Sequence, residues 1–224
     1  MGQYSKIMIF SHLSPEYKAL KIPHGNGAFY YSKEICERII PKIKTDRNWV
    51  TINVEPNCWD NSIVFIHNNK KPERYEWLKN YKNLILVCSQ IKTLKFMQDL
   101  LPKTHSILIP LSVDVEYVKQ FKAKRKTKNC CYFGRLEKMP KDLKEKGVDV
   151  IEGETSDRDE LLKKVAIYKN VYAIGRCAIE AKILGCNVTS HKGEYVNTKF
   201  DIIDNEDIIP ELQRLINEID EVNK

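Results

Sequence analysis

The segment 175–188 places a glycine, an arginine and a glutamate where they could bind a charged ligand, and it reads GRCAIEAKILGCNV. Its pattern predicts that a strand ends at Gly175, that a helix begins at Arg176 and that Glu180 lies about one turn into this helix. A helix N-terminus offers free N–H groups and positive potential to an anion such as a diphosphate. The Glu180 carboxylate can accept two hydroxyl groups, as a ribose presents them. The spacing also fits an ordinary strand–helix–strand unit with a solvated glutamate.

Two histidines are candidates for proton transfer, because imidazole can act as a general base near neutral pH. His67 follows the apolar run 62–66, and His24 lies in the loop 22–27, which reads IPHGNG. We take His67 and His24 as candidate catalytic residues. The alternatives are a strand-end histidine satisfied by the backbone for His67 and a plain turn for the His24 loop. His12, just after the first predicted strand, ranks below both.

Strands and helices must alternate along the chain to position these residues. The predicted strands are 6–11, 49–54, 62–66, 84–88, 106–109, 129–133, 148–151, 171–174, 187–190 and 200–203. The predicted helices between and after them are 29–42, 72–81, 91–101, 114–121, 156–164, 176–184 and 207–222. Such alternation predicts an α/β protein with parallel sheets. Because the pattern restarts after a basic run, we expect two Rossmann-like βαβ domains, 1–121 and 129–224, facing across a cleft at the carboxyl ends of their strands.

Composition excludes several classes of protein. The chain has 224 residues, of which 42% are hydrophobic and 30% charged, so it can bury a core and is not a disordered chain. No apolar run approaches the roughly 20 residues of a membrane-spanning helix, and we expect a cytoplasmic protein. The seven cysteines are scattered without a C-x-x-C pair, so we expect neither a disulfide framework nor a zinc site.

A cluster of positive charge lies between the two predicted domains. The net charge is +7, and the linker 122–128, which reads KAKRKTK, carries cations and no anion. Such a run could contact nucleic acid through the phosphate backbone. The alternative is a solvated linker. No aromatic residue interleaves the run, so it does not predict a platform for stacking single-stranded bases.

Three segments together resemble the GT-B-fold glycosyltransferases. Segment 175–188 is similar to that family's nucleotide-sugar segment in the C-terminal domain. Segment 132–138, which reads YFGRLEK, is similar to the strand that opens the same domain. The stretch 84–114, with LVCS and later LIPLSVD, is similar to the end of the family's N-terminal domain. The three occur in the family's order.

The resemblance implies a donor site on the second domain. Its predicted donor-binding residues are Gly134, Arg135, Lys138, Gly175, Arg176 and Glu180. In the family, the residue matching Glu180 binds the ribose of the donor, and those matching Arg135 and Lys138 hold its diphosphate. Lys141 is an alternative to Lys138. In that family, a histidine near the position of His67 often touches the transferred sugar. The resemblance also implies catalysis without a metal or other cofactor.

The expected function is therefore transfer of a sugar from a nucleoside-diphosphate sugar to an acceptor that the sequence does not identify. The chain departs from the family at three places: Tyr172 stands where retaining members carry a first glutamate, Ser112 replaces a glycine and Asn187 a proline. The chain is also short for the family. Two alternatives stay open: a catalytically inactive GT-B-like binding module, and a glycosyltransferase acting on modified DNA bases.

Overall fold

The computed structural model describes residues 7–9, 27–52, 58–66, 75–152, 157–190 and 201–222. In these ranges the chain forms two compact α/β units. The first contains 7–9, 31–111 and 205–222, and the second contains 27–30 and 112–204. The predicted domains were 1–121 and 129–224, whereas residues 27–30 and 112–121 belong to the second unit and the last helix belongs to the first.

The described strands of the first unit form one parallel sheet in chain order. They are β1 (Ile7–Ile9), β2 (Asn48–Ile52), β3 (Ser62–Ile66), β4 (Ile85–Cys88) and β5 (His105–Leu108). β3 and β4 are buried along their whole length, and Val64 pairs with Leu86. Continuous apolar runs are typical of parallel strands that are covered on both faces. The prediction of an α/β chain with parallel sheets is therefore confirmed.

The helices of the described ranges follow the predicted order with shifted ends, apart from a short helix at Lys141–Glu145 that the sequence pattern did not predict. They are α1 (Gly27–Glu34), α2 (Ile91–Leu100), α3 (Val115–Lys119), α4 (Lys141–Glu145), α5 (Arg158–Ala166), α6 (Gly175–Ile183) and α7 (Asn205–Val222). The predicted helix 29–42 is broken, because a π turn (Ile35–Ile39) and a 3₁₀ turn (Ile40–Lys42) follow α1. A 3₁₀ turn, Glu76–Asn80, occupies the described part of the predicted helix 72–81.

The C-terminal helix α7 packs on the rest of the first unit through one apolar face and through ion pairs, among them those of Lys42 with Glu206 and of Arg47 with Asp220. Its buried apolar residues recur at helical spacing: Ile208, Leu212, Ile216 and Ile219. Arg47, which is 2% exposed, donates from Nε to Asp220 at 2.8 Å and from Nη1 to the carbonyl of Asn83 at 2.7 Å. A buried guanidinium is stable only when its donors are satisfied in this way.

The second unit has a parallel sheet in the order β7-β6-β8-β9. Its strands are β6 (Lys128–Phe133), β7 (Asp149–Ile151), β8 (Tyr168–Tyr172) and β9 (Asn187–Thr189). The chain moves outward from β6 to β7 and then returns to the other side of β6 to form β8. The predicted strand 200–203 is wrong over its described part, because residues 201–203 form no strand and Asp204 makes only an isolated bridge to Val113.

Candidate functional site

The site is the edge of the second sheet where β6 and β8 end. β6 and β8 are parallel neighbours, with Tyr132 opposite Tyr172, and the chain leaves them for opposite sides of the sheet. Ligands of open α/β sheets bind in the crevice outside the carboxyl ends of strands at such a switch point. Gly134 follows β6 directly, and two residues connect β8 to Gly175. The structure therefore brings the two predicted donor-binding segments to one edge.

Gly134 lies against the ring of Tyr132, which leaves too little room for a Cβ atom unless the ring shifts. A Cβ at this position would lie 2.8 Å from the Tyr132 hydroxyl and 3.0 Å from the carbon that carries it. The same hydroxyl donates to the Arg135 carbonyl at 3.1 Å. Burial, with smaller contributions from Cys177 and Glu137, raises the pKa of Tyr132 to about 12, so the phenol stays protonated as a donor. The hydrogen bond from Tyr132 to the Arg135 carbonyl holds the backbone from which the Arg135 side chain extends.

The cations that follow β6 are accessible to a ligand. The Arg135 side chain is 38% exposed, and its guanidinium lies 3.7 Å from the Glu137 carboxylate. Lys138 is exposed in a 3₁₀ turn, Leu136–Lys138, whose last N–H donates to the Arg135 carbonyl. Lys141 is exposed at the start of α4. Both lysines stay candidates for a phosphate contact.

Gly175 opens α6 in a conformation that favours glycine. Its φ is +56°, and a Cβ there would meet no atom within 4 Å. Backbone conformation rather than crowding therefore selects glycine. Ile174, at the N-cap position, makes no side-chain cap hydrogen bond. The first turn of this nine-residue helix thus presents its N–H groups without a capping side chain.

Glu180 is fully buried and is held by two arginines. Its Oε1 accepts from Arg176 Nε at 2.6 Å and forms an ion pair with the Arg158 guanidinium. Arg158 is 8% exposed, Arg176 6% and Glu180 0%. The other carboxylate oxygen, Oε2, has no hydrogen-bond partner among the residues that the structure describes. A buried acceptor without a partner costs about 1–3 kcal/mol.

Sequence reasoning did not find Arg158. It predicted a helix over 156–164, whereas α5 begins at Arg158 and is capped by Asp157, which accepts from the Glu160 N–H at 3.0 Å. The position of Arg158 in the chain could have indicated it as a site residue. Arg158 follows a helix cap after a strand, as Arg176 follows the N-cap of α6.

The three arginines of this edge come from the segments after three adjacent strands. Arg158 follows β7, Arg135 follows β6 and Arg176 follows β8. The positive charges of all three guanidinium groups act on the thiol of Cys177: burial raises the pKa of this thiol, and the three charges act in the opposite direction. One guanidinium group can bind two phosphate oxygens at once through parallel hydrogen bonds. Three such groups therefore suit a ligand with several phosphate oxygens.

Neither the protein-family models nor the curated proteins that we compared with this chain match it. In the described ranges, no group of three or more histidine, cysteine, aspartate or glutamate side chains could hold a metal ion. No helix of those ranges is both long enough and apolar enough to cross a bilayer. The seven cysteines are free thiols.

The predicted catalytic histidines, His67 and His24, lie outside the described residues, as does His12. The roles predicted for them stay predictions. The described residues nearest to His67 in the chain are those of β3, which ends at Ile66. β3 is a buried parallel strand, as the sequence pattern indicated for 62–66.

The basic run 122–128 is largely engaged within the second unit. Lys126 donates to the carbonyls of Ala166 at 2.7 Å and Leu184 at 2.8 Å. The Lys128 ammonium lies 3.2 Å from the Asp149 carboxylate, and the Lys122 side chain lies against Gly185. Lys124 and Arg125 are exposed. The run is therefore ordered, with part of its charge used to join elements.

Proposed function

We propose that the protein is a metal-independent glycosyltransferase of the GT-B type that moves a sugar from a nucleoside-diphosphate sugar to an acceptor. The observation that carries the proposal is the convergence of Gly134–Arg135 and Gly175–Arg176 at the switch point of the second sheet. Both segments are the ones that the sequence pattern and the family resemblance predict for a donor diphosphate. Ligand binding at such a point is a general property of open α/β sheets.

In this proposal the second unit holds the donor. Arg135, Lys138 or Lys141 and the first turn of α6 bind the diphosphate, and the Glu180 Oε2 accepts a ribose hydroxyl. Since Glu180 is fully buried, side chains around it must move aside for that contact. The general base is His67 or His24.

The chemical step breaks the bond between the anomeric carbon and the diphosphate oxygen and forms a bond to the acceptor oxygen. Negative charge develops on the leaving diphosphate. Guanidinium groups fixed beside it stabilise that charge without reorganising. The acceptor proton passes to the base.

Calorimetric titration with the diphosphates of uridine, guanosine, adenosine and cytidine, and with their sugar conjugates, tests donor binding. Turnover is measured as hydrolysis, in which a donor and water give a nucleoside diphosphate and free sugar. We expect one nucleotide class to bind, and Arg135→Gln to weaken its affinity about 10- to 100-fold, as expected for a lost charge-assisted hydrogen bond. Arg125→Gln, which removes an exposed arginine of the same unit, should leave affinity unchanged. Absence of binding by the whole panel would overturn the proposal.

A binding module without transferase activity is the second candidate. The specific observation that favours it is the enclosure of Glu180 between two guanidinium groups, combined with Tyr172 in place of the first glutamate of retaining enzymes. Nucleotide-sugar binding without turnover, with or without added acceptors, would select this candidate. Turnover that Arg135→Gln lowers would exclude it.

A further inference from the structure

The ion pairs around Glu180 place Arg158 beside the donor-binding residues. Arg176 and Arg158 bind the same carboxylate oxygen, so their guanidinium groups lie next to each other. Arg158 is the first residue of α5, which follows the carboxyl end of β7, next to β6 in the sheet. A ligand that contacts Arg176 and Arg135 therefore lies within reach of Arg158.

We infer that Arg158 is a third arginine for the donor diphosphate, held in place by Glu180. The inference rests on the proposed function and extends it to a residue outside the segments that resemble the glycosyltransferases. Arg158 and Arg176 pair with the same carboxylate oxygen, and Arg135 follows the strand that lies between theirs, so the three guanidinium groups suit a ligand with several phosphate oxygens.

The electrostatic environment of Cys177 supports a shared site rather than three separate arginines. Its thiol is in the first turn of α6 and is subject to the positive charge of Arg158, Arg176 and Arg135 together. An anion bound against this turn would be exposed to the same three charges. Glu180 then acts as a positioning residue, because one of its oxygens sets where two of the guanidinium groups lie.

The test compares Arg158→Lys with the wild type. Lysine keeps the positive charge beside Glu180 but lacks the planar fork that binds two phosphate oxygens. We expect the affinity for the nucleoside diphosphate to fall at least 10-fold, and the affinity for the matching uncharged nucleoside to stay the same. A purely structural role would lower both affinities equally or change neither. Arg125→Lys, on an exposed arginine, is the matched control.

A measurement on the wild type covers the case in which Arg158→Lys does not fold. Phenylglyoxal labels arginines, and peptide mass spectrometry locates the label. Inorganic pyrophosphate should slow labelling of Arg158 at least several-fold and leave Arg125 unaffected. Equal labelling of Arg158 with and without pyrophosphate would overturn the inference.

The outcomes separate the two proposals. If a nucleoside diphosphate binds and Arg158→Lys changes nothing, the inference is wrong and the proposed function stands. If no nucleotide binds but pyrophosphate binds in a manner that depends on Arg158, the anion site stands and the nucleotide donor is wrong. If neither nucleotide nor pyrophosphate binds the wild type, both proposals are wrong.

Discussion

The Nε of Arg176 lies 2.6 Å from Oε1 of Glu180, four residues further along the same helix. The same oxygen pairs with Arg158 at the start of α5. One carboxylate therefore anchors the first turns of two helices, both of which follow carboxyl ends of strands in the second sheet. Stability of this unit and geometry of its candidate ligand site depend on the same side chain.

Glu180→Ala should lower the free energy of unfolding of the second unit by about 3–5 kcal/mol. The reason is that two buried guanidinium groups lose the carboxylate that they share, and removing one partner of a buried ion pair costs about that much. Urea denaturation followed by circular dichroism measures the change.

The control for this prediction is Glu116→Ala, in the same unit. Glu116 pairs with Lys119 on the surface, where the two side chains are 80% and 54% exposed. Exposed pairs contribute up to about 1 kcal/mol, so this variant should stay within that range. Losses of similar size in the two variants would show that the Glu180 cluster contributes little.

Gly175→Ala and Gly147→Ala form a matched pair. Both glycines have positive φ, +56° at Gly175 and +63° at Gly147. A Cβ added at either position would meet no atom within 4 Å. Alanine at each position should cost about 1–2 kcal/mol of stability from backbone strain alone. Gly175→Ala should also weaken nucleoside-diphosphate binding, because it alters the first turn of α6, whereas Gly147→Ala should bind as the wild type does. Equal affinities of the two variants for the nucleoside diphosphate would show that Gly175 is not part of the binding site.

The sequence predicts single elements better than their arrangement. The apolar runs of β3 and β4 matched the structure to within one residue, because parallel strands covered on both faces have no polar alternation to confuse with another element. The order β7-β6-β8-β9 could not be predicted, since alternation implies parallel strands but does not say on which side of β6 the chain returns.

The assignment of α7 to the first unit was also beyond the sequence pattern. Periodicity shows that one face of this helix is apolar but not what covers it. One of the contacts that hold it joins Arg47 to Asp220, residues far apart in the chain. Arg158 was not predicted for a similar reason. What marks it as a site residue is its ion pair with Glu180, and no local sequence spacing connects the two residues.

Gly134→Ala should destabilise the second unit by about 1–3 kcal/mol, as overpacking does. The new Cβ would lie 2.8 Å from the Tyr132 hydroxyl, so the ring must move and its hydrogen bond to the Arg135 carbonyl is lost. Ligand affinity should fall with it, because Arg135 is displaced. Urea unfolding and calorimetric titration measure the two effects.

Adding Tyr132→Phe to Gly134→Ala provides the control. The second change removes the hydroxyl, which is the nearest clashing atom, and should restore part of the stability, so that the double variant is more stable than the sum of the two single changes predicts. The next ring carbon lies 3.0 Å from the new Cβ, and restoration should therefore be incomplete. Strict additivity would show that the cost of alanine at 134 has another origin.

Lys126→Met should destabilise the second unit by about 3 kcal/mol, although the lysine belongs to a basic run that reads as a solvated linker. Its ammonium donates to Ala166, the last residue of α5, and to Leu184, at the end of α6. Cations stabilise helix C-termini, and hydrogen bonds to charged groups contribute about 1.5–3 kcal/mol each.

Lys124→Met, two residues away on an exposed side chain, is the matched control and should change stability by no more than about 0.5 kcal/mol. The pair also refines the test of nucleic-acid binding through the run. Replacing Lys124 and Arg125 removes exposed charge, whereas replacing Lys126 would lower DNA retention by destabilising the protein. Salt-dependent retention that falls in Lys124→Gln/Arg125→Gln, with unfolding unchanged, would support a nucleic-acid acceptor. Retention that falls only with Lys126→Met would trace the effect to stability and exclude the run as a DNA contact.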